Sequence, residues 1–69
     1  MREQWHLLYI TPNYMEASII RGMLEENQVP VRILNKVDSS GLTFGEIELY
    51  VPILLKEMAL RLLDKALLN

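Results

Sequence analysis

The sequence predicts an α+β fold of two layers: a three-stranded sheet in the order 1-3-2, antiparallel or mixed, with two helices on one face. Three observations lead there. Apolar residues switch between a period of two and a period near 3.6, in the order strand, helix, strand, strand, helix. Proline, asparagine and glycine punctuate the segments where the period changes. A helix joins the first strand to the second, which demands a right-handed crossover, whereas only a loop joins the second to the third, which favours an antiparallel pair. Inserting the third strand between the other two satisfies both connections.

Each element has its own warrant. Trp5-His6-Leu7-Leu8-Tyr9-Ile10 is aromatic and branched and stops at Thr11-Pro12, so it reads as the first strand. Asn13 is a good helix cap, and Glu16 stands three residues on, the spacing of a capping box. The Asn13 side chain is expected to accept the Glu16 amide, and the Glu16 carboxylate to reach back to the Asn13 amide. Thr11-Pro12-Asn13 is thus a helix start before it is a ligand site. Ala17, Ile20, Met23 and Leu24 share one helix face, with Ser18, Gly22 and Glu25 opposite. Gly22 reads as an exposed, tolerated glycine. Acids at Glu25 and Glu26 oppose the helix dipole, so this end is expected to fray or be compensated.

Residues 29 to 37 form the second strand, with Val31 and Ile33 against Arg32 and Leu34 and with Pro30 near its start. Asp38-Ser39-Ser40-Gly41 is a turn cluster, followed by a loop containing Phe44. The third strand, Glu46 to Val51, alternates cleanly: Ile47, Leu49 and Val51 on one face, Glu46, Glu48 and Tyr50 on the other. Pro52 precedes a final helix running to about Leu68, whose core stripe is Leu55, Ala59, Leu62, Leu63 and Ala66. The result is a ferredoxin-like layout lacking its last strand, which leaves the first strand as an exposed edge.

Composition bounds the function. Sixty-nine residues make a single domain, 1–69, and a chain of this size buries only about 60% of its unfolded surface. There are no cysteines and one histidine, so disulfides and ordinary zinc cages are excluded and no cofactor or metal is expected. The net charge of −2 comes without a basic run, which argues against nucleic acid. No apolar run approaches a membrane span, and Trp5 to Ile10 is too short and too interrupted for a signal peptide, so a cytoplasmic protein is expected. Yet 51% of the residues are hydrophobic, more than a small core needs. Part of that surface is expected to meet another chain.

The pattern Tyr9-x-Thr11-Pro12-Asn13-x-x-Glu16-Ala17, then Gly22-x-Leu24-Glu25, Val29-Pro30 and Gly45-Glu46-x-x-Leu49-x-Val51-Pro52 resembles a short bacterial family described as signal-transducing, a domain of unknown function. The resemblance covers nearly the whole chain. It implies a ferredoxin-like fold distantly related to nitrogen-regulatory PII proteins, and no established activity. Two departures stand out. Relatives usually carry glycine at the position of Gln28, so a positive φ is expected at Gln28 or Asn27. Relatives also tend to carry acids after Pro52, where this chain has Ile53-Leu54-Leu55. The PII nucleotide site uses a long loop between the second and third strands. Here that loop has about eight residues, so such a site is not supported.

Catalytic constellations are absent from the sequence. His6 lies in a strand and reads as packed or solvated. Glu46 and Glu48 share a strand face and read as solvated or as cross-strand partners of Arg32 and Lys36. Ser39-Ser40-Gly41 lacks a phosphate-loop pattern. Two apolar surfaces remain. On the last helix, Ile53, Leu60 and Leu67 form a second stripe beside the core stripe, and Leu54 and Met58 lie on the other flank. On the open sheet face, if Leu8 and Ile10 point at the helices, then Trp5, Leu7 and Tyr9 point outward beside Arg32, Leu34, Glu48 and Tyr50. Aromatics and arginine among aliphatics match an interface in composition. The expectation is a non-enzymatic interaction or regulatory module, a homo-oligomer (dimer) or a binder of another protein, with Trp5, Leu7, Tyr9, Leu34, Tyr50, Ile53, Leu54, Leu60 and Leu67 as its surface and Asn13 and Glu16 as structural caps. The alternative is a small-molecule sensor binding a metabolite or anion at a subunit cleft.

Overall fold

In a computed structural model, the chain is described over residues 4–36 and 46–67. The elements are β1 (Trp5–Thr11), α1 (Tyr14–Glu26), β2 (Arg32–Lys36), β3 (Glu46–Pro52), a 3-10 turn (Ile53–Leu55) and α2 (Lys56–Leu67). The sheet order is β1-β3-β2, and β3 is antiparallel to both neighbours. The expected turn at Asp38–Gly41 and the loop containing Phe44 lie outside the described residues.

The core follows from the alternation of β3. Ile47, Leu49 and Val51 are buried against Ala17, Ile20 and Leu24 of α1, Ala59 and Leu63 of α2, and Val29. The largest fully enclosed side chains among these are Leu24, Leu49, Val29 and Val51. Such burial is worth roughly 1.5–3 kcal/mol per large side chain, the main stabilising term in so small a domain.

Helix α1 starts largely as its sequence requires. Asn13 Oδ1 accepts from the Met15 amide at 2.9 Å and the Glu16 amide at 3.2 Å. The reciprocal half of the box does not form. The Asn13 amide donates to Thr11 Oγ1 at 3.0 Å instead, and the Glu16 carboxylate accepts from the Tyr9 hydroxyl at 3.3 Å. Thr11 is buried and next to the cap, so it reaches that amide first, and Glu16 is free to tie the helix to β1.

The far end of α1 is compensated. Gln28 takes φ = 62°, the one non-glycine residue with positive φ among those described. Its amide donates to the Glu25 carbonyl at 3.1 Å, and the Val29 amide to the Leu24 carbonyl at 2.9 Å. These are the two bonds of a Schellman motif, and buried Leu24 and Val29 supply its hydrophobic partners. Asn27 Nδ2 also covers the Met23 carbonyl at 2.8 Å. Because Val29 is consumed by this cap, β2 starts only at Arg32, later than the alternation suggested. Gly22 has open space around its missing Cβ, so no close approach requires it.

Strand β1 departs from simple alternation. Leu7 stands opposite Tyr50, but Tyr9, not Leu8, stands opposite Leu49. Leu8 and Tyr9 therefore share one position of the ladder, a β-bulge, and both pack against the core. The bulge reverses the parity of everything after it. Trp5 and Leu7 face away from the helices, but Tyr9 turns toward them and Ile10 turns out. Tyr9 thus leaves the open face on which the sequence placed it, and Ile10 takes its place.

Candidate functional site

Residues directly opposite in an antiparallel ladder lie on the same face of the sheet. The pairs Leu7↔Tyr50, Arg32↔Tyr50, Ile10↔Glu48 and Leu34↔Glu48 therefore define one continuous open face. Both helices lie on the other side. Leu7, Ile10 and Leu34 are 37%, 44% and 47% exposed. Trp5 sits at one end, half-buried, with the Arg32 guanidinium 4.8 Å from its ring centroid. That stacking spans the width of the sheet across Tyr50, and such contacts contribute roughly 0.5–1 kcal/mol at exposed sites.

A polar pair interrupts this apolar field. Glu48 is buried although it projects on the uncovered side, because Ile10 and Leu34 stand on either side of it. The Tyr50 hydroxyl donates to Glu48 Oε1 at 2.9 Å. That bond, followed by burial and the carboxylate's charge, raises the Tyr50 pKa above its ordinary value of 10.0. The pair fixes the aromatic ring in place among the aliphatic side chains.

A second set of exposed apolar residues lies on and before α2. Leu60 and Leu67, seven residues apart, share one flank of the helix and are 41% and 50% exposed, and Ile53, in the 3-10 turn ahead of it, is 45% exposed. Leu62, on the flank of α2 opposite Leu60, and Leu55, in the 3-10 turn, pack against the core. Leu54 is almost entirely solvent-exposed, at the turn between β3 and α2, and is not part of either field. Tyr9 belongs to neither surface. It packs against the core and bonds Glu16, and its pKa is raised by burial first and by the Glu16 carboxylate second.

The structure thus brings Trp5, Leu7, Leu34 and Tyr50 together, and separates from them Ile53, Leu60 and Leu67. Ile10 was missed by sequence reasoning. Both faces of Trp5–Thr11 are apolar, so no alternation exposes the bulge. The one local signal is Thr11, a polar residue whose hydroxyl is needed inward to cap Asn13. His6 lies opposite Val51 on the helix side and is half-buried. Among the described residues, no three acidic or histidine side chains are grouped to hold a metal ion, and no helix is long and apolar enough to cross a membrane.

These features sit in a known family. A family described as "Putative prokaryotic signal transducing protein" matches residues 5–66, and the chain belongs to it. No curated protein and no solved structure matches the chain.

Proposed function

We propose that this family member is a non-enzymatic interaction module that associates with a second copy of itself through the open face of its sheet. The observation that carries this reading is the set Leu7, Ile10 and Leu34, exposed side by side on the face that neither helix covers. Two such sheets stack at about 10 Å with interdigitating side chains. The Trp5–Arg32 stack and Tyr50 provide the aromatic and arginine anchors that tend to dominate interface energetics. Signalling in this family would then proceed by assembly, not by chemistry on a substrate.

The test is the solution mass by light scattering over a wide concentration range. The expected result is a species of twice 8.0 kDa that dissociates on dilution. A monomer at every concentration would sink the reading.

A further inference from the structure

We infer that two copies stack open face to open face with their strands antiparallel, so that the Arg32 guanidinium of each copy lies over the Glu46 and Glu48 carboxylates of the other, and that this pairing selects the orientation. This rests on the self-association reading and deepens it, because it names which end of the face meets which.

The charges of the open face are sorted along the strands. Its ladder forms rungs about 6.8 Å apart, two strand residues each. Trp5 stands opposite Pro52 at one end. The next rung is Leu7, Tyr50 and Arg32, and the next is Ile10, Glu48 and Leu34. Glu46 stands opposite Lys36 at the far end. Among the described residues, Arg32 is the one charge at the Trp5 end, and it makes no ion pair there. Its exposed guanidinium leans onto Trp5, away from the Glu48 rung. Glu46 is exposed and Glu48 is buried on the other half of the face. Even with Lys36 set against them, the two acids leave that half net negative. Strand β1 adds no acid, lysine or arginine to either end.

Sheets that stack in the aligned manner keep their strand directions within about 30° of each other. A symmetric pair then has two choices of two-fold axis. An axis along the strands lays β3 on β3, rung for rung. Glu48 would face Glu48 and Glu46 would face Glu46, on a surface from which stacking removes water, while Arg32 would lie over Leu7. An axis across the strands reverses the rungs. The exposed apolar residues Leu7, Ile10 and Leu34 fill the two central rungs, so overlap is greatest when that axis passes between them. Leu7 of each copy then meets Ile10 of the other. The guanidinium, displaced toward the Trp5 end, falls over the other copy's β3 between Glu48 and Glu46. Symmetry makes this contact twice. One orientation opposes like charges and the other opposes unlike charges, and complementarity of this kind fixes register and orientation.

The experiment measures self-association of the full chain by light scattering at low and high salt, for the wild type, Arg32→Glu and the double variant Arg32→Glu/Glu46→Arg. Both positions are exposed, so the fold should survive, and urea denaturation checks that it does. Arg32→Glu is expected to weaken association about tenfold at low salt, because two symmetry-related contacts turn repulsive, and by less at high salt. The double variant exchanges the two signs and should recover much of that loss. Within one copy positions 32 and 46 stand two rungs apart on neighbouring strands. The recovery should therefore appear in association and not in the urea midpoint. The inference is overturned if Arg32→Glu associates like the wild type, or if the double variant associates no more tightly than Arg32→Glu alone. An axis along the strands gives that second result, since position 46 then meets itself. A wild-type chain that stays monomeric removes the self-association reading and this one together. Failure of the charge exchange in a chain that does dimerise removes only the orientation.

Discussion

The two faces of the β3 strand carry opposite fates for similar side chains. Toward the helices, Ile47, Leu49 and Val51 are enclosed, and their neighbours fill the space between sheet and helices. Away from the helices, Leu7, Ile10 and Leu34 stand in solvent around a buried Glu48. In a two-layer fold one sheet face is normally polar. Here the second face has the composition of a core without its cover. The difference separates stability from association: the helix side holds the fold, and the open side is free to hold something else.

The largest expected effect tests the first half of that division. Leu49→Ala should cost about 2–5 kcal/mol, enough to unfold much of so small a domain, as read by urea denaturation. Leu34→Ser on the opposite face should change stability by no more than about 0.5 kcal/mol and weaken association instead. Equal losses of stability would erase the distinction between the faces. A smaller effect concerns the helix layer. Asn13→Ala should cost about 1 kcal/mol, because it removes the acceptor for the Met15 and Glu16 amides.

Two substitutions should raise stability without touching either face. Gln28→Gly relieves the positive φ, and Gly22→Ala adds a helix former where a Cβ meets nothing. Each is expected to gain up to about 1 kcal/mol, or some 4–8 °C in Tm. A clear drop for Gln28→Gly would refute the cap at that residue. The smallest effect is alkaline. Tyr9 and Tyr50 both have pKa values raised in the folded state, Tyr9 chiefly by burial and Tyr50 chiefly by its hydrogen bond to Glu48. The folded protein holds those protons more tightly than the unfolded chain. Their contribution is complete below about pH 10 and lost as pH rises through the folded values. Tyr9→Phe and Tyr50→Phe together should flatten that decline in a pH series of denaturation midpoints.

Much of the helix side was legible in the sequence. The alternation of Glu46 to Val51 named its core residues, and the apolar spacing of Ala17, Ile20 and Leu24 named the face of α1 that meets them. The positive φ at Gln28 or Asn27 was expected only through the family resemblance, in which glycine usually holds the position of Gln28, and it falls at Gln28. The open side was less legible for one physical reason. Where both faces of a strand are apolar, periodicity carries no phase, so the bulge at Leu8 left no mark and Tyr9 and Ile10 exchanged sides. The Glu16 carboxylate went astray for a different reason: the capping-box spacing is real, but the Asn13 amide found a nearer acceptor in Thr11 Oγ1 and the carboxylate took the Tyr9 hydroxyl as its donor.

The most direct test of the division between faces uses Trp5, the single tryptophan, which sits on the open face under Arg32. Its emission is measured against protein concentration, beside the light-scattering mass. The expected result is a blue shift that tracks the rise in mass, absent in Leu34→Ser. A mass that doubles while the Trp5 emission stays constant would place association elsewhere and contradict the assignment of the open sheet face.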